Sequence, residues 1–248
     1  MEFAFVAPLG LMIGSFLNVV TYRVPRGESI VSPGSRCPGC AQAIRPVDNV
    51  PVVSWLMLRG RCRGCGTRIS PRYPLVELLT AVVFAAVVLS RALRPELALD
   101  LPFAAMLIAV AGIDLEHRIV PNKILLPMAV WGVGASAVVR PTMLPELLAA
   151  GAGAFAFLLV AALAHPRGMG MGDVKLAGVM GVFLGVSVVP ALFLAFLSGS
   201  VVGIAMLARQ GAAGRKKGVP FAPFLALGGI AALIAGQSLI HFYTHNFV

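Results

Sequence analysis

The chain has 248 residues, of which 58% are hydrophobic and only 12% charged, and its formal net charge is +10. That composition excludes an ordinary soluble domain and defines an integral membrane protein. A basic balance can signal nucleic-acid binding, but with most of the chain in lipid and no aromatic-interleaved basic patch, no nucleic-acid partner is expected.

Apolar stretches near the roughly twenty residues needed to cross a bilayer recur along the chain. Eight spans are predicted, at about 3–22, 74–92, 97–114, 123–139, 145–164, 174–190, 191–208 and 221–241, with Pro190 as the only punctuation between the sixth and seventh. The fold class is therefore all-α and polytopic, in three parts: a first span (1–23), a loop (24–73) and a transmembrane core (74–248). The first span carries Glu2 where a cleavable signal would be basic, so it is expected to stay attached. Glycines in the spans, such as Gly151, Gly153, Gly181 and Gly185, are read as allowing close helix packing.

Lys and Arg set orientation, because basic loops stay on the cytoplasmic side. With eight spans, 17 of the 20 basic residues lie inside, nine of them Arg23 to Arg72, and only Arg91, Arg94 and Arg140 lie outside. The Gly-Arg-Lys-Lys run at Gly214–Lys217 reads as an anchor facing anionic lipid headgroups.

The loop 24–73 is too short to bury a large core unaided and needs a staple. Cys37-Pro38-Gly39-Cys40 and Cys62-Arg63-Gly64-Cys65 supply one, since paired C-x-x-C knuckles match a tetrahedral four-thiolate zinc site. Iron of the rubredoxin kind, or no metal, are the alternatives. Four protein ligands leave no open position, so the zinc is read as structural, with Arg36, Arg61 and Arg63 offsetting its charge. No internal repeat is strong enough to claim. Trp55 is read as an interfacial anchor and Asn18 as a hydrogen-bonding bridge between helices.

Two carboxylates stand out in a chain with ten acids: Asp114 in Gly112-Ile113-Asp114-Leu115-Glu116-His117, and Asp173 in Gly168-Met169-Gly170-Met171-Gly172-Asp173. Ionisable groups at a bilayer edge are functional candidates, and two carboxylates that share a proton form a general acid/base pair. The charge count, made without them, puts both at the cytoplasmic boundary. Gly170 and Gly172 would let a substrate backbone approach, and Lys175 is placed either to tune Asp173 or to anchor the helix. Glu77, one turn into a span, could bind an incoming amine or basic leader or simply complement the helix dipole. A bland alternative is that each aspartate caps a helix or pairs with Lys175 or Arg118.

These residues also carry a resemblance. Gly14-Ser15-Phe16-Leu17-Asn18-Val19, both knuckles, Asp48-Asn49-Val50-Pro51 with Ser54-Trp55-Leu56, Arg72-Tyr73-Pro74-Leu75-Val76-Glu77, Val120-Pro121-Asn122, Gly170-Met171-Gly172-Asp173-Val174-Lys175 and Pro220-Phe221-Ala222-Pro223 are similar to the type IV prepilin peptidases, aspartic membrane proteases with a G-x-G-D motif. The resemblance implies that Asp114 and Asp173 are catalytic. It further implies prepilin or pseudopilin substrates cut after a glycine at the cytoplasmic face of the bacterial inner membrane, and N-methylation of the new amine using S-adenosylmethionine. The one departure is Ala222, where glycine is expected, at a place not assigned to catalysis. The rival classes are an ion- or proton-coupled transporter with carboxylates at broken helices, and a noncatalytic zinc-binding scaffold of the pilus or secretion machinery.

Overall fold

The computed structural model describes residues 3–91, 93–165, 169–210 and 219–247. Gly168, Arg167 and the Gly214–Lys217 run lie outside them. The named helices are α1 (Phe3–Arg23), a short α2 (Val53–Met57), α3 (Arg72–Arg91), α4 (Leu97–His117), α5 (Asn122–Val139), α6 (Leu144–Ala164), α7 (Met171–Leu184), α8 (Val188–Gln210) and α9 (Ala222–Phe247). All but α2 fall on the eight predicted spans. Six described segments are long and apolar enough to cross a membrane, one of them the 39-residue stretch Met171–Arg209 that contains α7 and α8, and Ala222–Gly236 adds a shorter apolar stretch. The protein is an all-α, polytopic membrane protein.

The chain divides into two compact units, Met1–Leu89 and Ser90–Val248. In the first, α1 meets α3 through Gly10 and Gly14. A methyl at Gly10 would lie 2.5 Å from the Ala81 Cα and one at Gly14 2.6 Å from the Glu77 Cα, so backbone lies against backbone. Asn18 bridges the same two helices, donating from Nδ2 to the Tyr73 carbonyl at 3.1 Å.

In the second unit, α4 is deeply enclosed: Leu99, Phe103, Leu107, Val110 and Ile113 are almost wholly buried. Phe103 stacks on Phe183 of α7 with ring centroids 4.7 Å apart. Gly181 of α7 backs onto Gly151 of α6, and Gly229 of α9 lies against Leu107 of α4 and Met180 of α7. Gly153 faces open space, so its predicted packing role is not what the structure gives it.

The division between the sixth and seventh spans also differs from expectation. It falls at the 3-10 turn Gly185–Ser187, and Pro190 sits in the first turn of α8. Gly185 has φ +57° with ψ −137°, which side chains resist, whereas proline in a first helical turn loses no hydrogen bond. Gly185 lies against Leu147 and Ser187 against Gly236, while Val186 between them is exposed.

Candidate active site

In the first unit, the four cysteines converge as expected: their sulfur atoms all lie within 4.8 Å of one another. Cys37 and Cys65 Sγ are 3.7 Å apart, close to the edge of about 3.8 Å that a tetrahedron with 2.3 Å Zn–S bonds requires. The donor set therefore fits one tetrathiolate ion. Backbone N–H groups of Cys40 and Gly39 hold the Cys37 thiol below its ordinary value. Thr67, with its hydroxyl and its N–H at the sulfur, brings Cys65 down to about 6.

The two knuckles are copies offset by 25 residues. Arg36-Cys37-x-Gly39-Cys40-x-x-x-Ile44 repeats as Arg61-Cys62-x-Gly64-Cys65-x-x-x-Ile69. The Cys37 N–H donates to the Gln42 carbonyl and the Cys62 N–H to that of Thr67, both at 2.9 Å, while Ile44 reaches Ser35 and Ile69 reaches Gly60. Each turn closes on a residue at positive φ, Ala41 at 57° and Gly66 at 71°. The halves face one another reciprocally, Gly39 against Thr67 and Gly64 against Gln42. Sequence reading missed this repeat.

Around the knuckles, Arg63 does not stand free to offset the cluster's charge. Its fork grips Asp48, Nη2 to Oδ1 at 2.7 Å and Nε to Oδ2 at 2.9 Å, and the guanidinium holds the Asp48 carboxyl below the usual carboxylate range. Trp55 is not aimed outward as an anchor: its Nε1 donates to the Ile69 carbonyl at 3.2 Å, and its ring lies on Gly60. Glu77 is buried, and its Oε2 accepts the Val52 N–H at 2.7 Å. Val52 has φ +59° and ψ −52°, and the N–H of Val53 turns back to the Pro51 carbonyl. This is the strained, positive-φ form of a γ-turn, on a β-branched residue.

In the second unit, Asp114 and Asp173 are buried, 5% and 8% exposed. Asp114 lies in the last turn of α4, which Arg118 ends at φ +55°, its N–H returning to the Asp114 carbonyl at 2.9 Å. Asp173 is the third residue of α7. Its carboxylate accepts the Gly170 N–H at 3.3 Å, the acidic half of a capping box. The two segments are held together at two points: Gly172 lies so close to Val120 that a methyl would sit 2.7 Å from its Cβ, and Lys175 Nζ donates to Asn122 Oδ1 at 3.2 Å. Lys175 thus anchors α7 to the start of α5.

A third element completes the site. The Ala222 N–H, at the first residue of α9, donates to Asp114 Oδ2 at 3.1 Å in a buried setting. Pro223 has no N–H, and those of Phe224 and Leu225 return to Phe221, so the Ala222 donor is the first-turn group turned on the carboxylate. A carboxylate at a helix C-terminus opposes the dipole, and the N-terminus of α9 offsets this. Sequence reading set Pro220–Pro223 apart from the chemistry. The available signal was a pair of prolines around just two backbone N–H groups, those of Phe221 and Ala222, at a helix start.

Buried carboxylates held at two helix starts and one helix end, in a chain that also carries four cysteines placed to hold a metal ion, are the arrangement of a membrane-embedded enzyme. Residues 9–91 match the bacterial peptidase A24 N-terminal domain and residues 101–207 match the type IV leader peptidase family. The chain is 37% identical to the prepilin leader peptidase/N-methyltransferase of Bacillus subtilis, over 94% of each chain. It is 35% identical to that of Aeromonas hydrophila, over 99% of this chain and 95% of the other. Identity to the Pseudomonas aeruginosa protein of the same name is 31%, over 95% of this chain and 91% of the other. No solved structure matches. The chain belongs to the prepilin leader peptidase/N-methyltransferase family.

Proposed function

We propose that Asp114 and Asp173 are the catalytic pair of a peptidase that removes the basic leader of prepilins or pseudopilins. One carboxylate, ionised, takes a proton from water; the water oxygen attacks the scissile carbonyl while the other, protonated, gives its proton to the carbonyl oxygen. Collapse of the tetrahedral intermediate expels the amine, which takes up a proton from the pair. The observation that carries this reading is two buried carboxylates brought together at three converging helix ends. The backbone at Gly170, whose nearest neighbours belong to Asp173 and Gly172, leaves a substrate strand room to approach, whereas the space at Gly172 is filled by Val120. The cut falls after a glycine at the cytoplasmic face of the inner membrane, the side to which the basic loops assign both aspartates.

The cysteine cluster holds a structural zinc ion. S-adenosylmethionine supplies the methyl group for the new N-terminal amine, as the names of the relatives suggest. Co-expression with a prepilin, followed by mass spectrometry of the pilin N-terminus, tests both activities at once. Asp114→Asn and Asp173→Asn each abolish cleavage while the protein still inserts; full cleavage by either would sink the two-aspartate mechanism.

A further inference from the structure

At the other end of α4 from Asp114 lies a second buried acid, Asp100, 2% exposed. Arg140 Nη2 donates to its Oδ1 at 3.4 Å, and Arg91 pairs with it by charge alone, Nε standing 3.7 Å from an Oδ2 that accepts no hydrogen bond. Glu96 stands one turn earlier. Arg91 does more than pair. Its Nη2 and Nε also donate to the main-chain carbonyl of Leu233, inside α9, at 2.9 and 3.2 Å. One side chain therefore ties α4 to α9.

The same two helices meet again where the Ala222 N–H bonds Asp114. Between these ends, Leu107 of α4 lies against Gly229 of α9. The direct contacts, 107 with 229 and 114 with 222, share one antiparallel register, and Arg91 adds a bridged link between Asp100 and Leu233. From Asp100 to Asp114 the helix rises about 21 Å, and from Ala222 to Leu233 about 16 Å. Between helices in lipid there is no hydrophobic force to set register; packing and polar bonds set it.

We propose that Arg91 is a positioning residue: its fork, bridging Asp100 and the Leu233 carbonyl, fixes the register of α4 on α9 and so keeps Asp114 on the Ala222 N–H. This rests on the reading of Asp114 as catalytic. Slippage by one turn is 5.4 Å, and displacements near 1 Å at a reacting group are enough to matter. The fork sets two donors on the one Leu233 carbonyl while its charge faces Asp100, a planar arrangement that the compact ammonium of lysine does not reproduce.

The test uses full-length enzyme in lipid nanodiscs with a purified prepilin. Arg91→Gln and Arg91→Lys both lower kcat about tenfold at unchanged KM, and hydrogen exchange rises at the Ala222 amide while the middle of α9 stays protected. Arg94→Gln, at an exposed arginine of the same end, changes none of these. Full activity in Arg91→Lys, a change in KM alone, or an unaltered Ala222 amide in both Arg91 variants overturns the proposal. If the glutamine variant fails to insert, the lysine variant decides. Asp114→Asn, run alongside, separates the two claims: activity there removes the catalytic reading, whereas an inactive Asp114→Asn with normal Arg91 variants removes only the brace.

Discussion

The carboxylate of Glu77 holds the N–H of Val52 at 2.7 Å, and Val52 is a β-branched residue at φ +59°. A helix carboxylate thus stabilises a backbone conformation that valine disfavours, which accounts for a buried acid one turn into a span. Strain of this kind costs about 1–3 kcal/mol and persists only where its surroundings enforce it. Glu77→Ala leaves the N–H without its acceptor and lowers stability by about 1–3 kcal/mol, read as a lower thermal midpoint in detergent. Val52→Gly in that background recovers part of the loss, because glycine takes positive φ freely. A double variant no more stable than Glu77→Ala alone would contradict the account.

Gly172 and Gly170 separate in the same way that their surroundings do. A methyl at Gly172 would meet the Val120 Cβ at 2.7 Å, whereas at Gly170 the nearest atom is an Asp173 oxygen at 3.6 Å. Gly172→Ala therefore wedges the Asp173 segment from the Asp114 segment and lowers kcat/KM by about a hundredfold, the scale of a 1 Å misplacement. Gly170→Ala lowers it far less. Steady-state cleavage of a prepilin peptide checks the order, and equal losses would remove the wedge explanation.

The matched knuckles predict that the metal is held by both halves or not at all. Cys40→Ser and Cys65→Ser, at equivalent places in the repeat, lower bound zinc to the same extent by elemental analysis. Because thiolates and not thiols are ligands, zinc retention also falls as pH drops. Chelation exposes the loop to protease at Arg59 and Arg61.

The Asp48–Arg63 fork has its own pH signature. Its partner holds the Asp48 carboxyl below the ordinary value of 3.8, so its stabilisation is fully present above that value and is lost as pH falls through the lower folded value. Asp48→Asn accordingly lowers the thermal midpoint at neutral pH, and the difference from wild type vanishes as the acid side of the ordinary value is passed. A difference that persists there would mean that Asp48 acts through packing.

Much of this architecture was legible in the sequence, because a bilayer demands long apolar helices and hydropathy reports them directly. Asp114 and Asp173 were visible as acids at the edges of such helices. What escaped was anything decided between segments distant in sequence. The donor to Asp114 comes from Ala222, 108 residues away, and it is a backbone group that no side-chain motif advertises. The break at Gly185 was assigned to Pro190, because proline punctuates a sequence more visibly than glycine, although it is harmless in a first turn. The 25-residue repeat hid because only Arg, Cys, Gly, Cys and Ile recur; the rest of each turn is fixed by main-chain bonds to which any side chain is indifferent.

The early end of α7 has a further consequence. Fourteen residues extend about 21 Å, well short of a hydrocarbon layer about 30 Å thick. The helix that carries Asp173 therefore cannot span such a layer alone, and it is the turn at Gly185–Ser187 and α8 that carry the apolar stretch on, 39 residues in all from Met171 to Arg209.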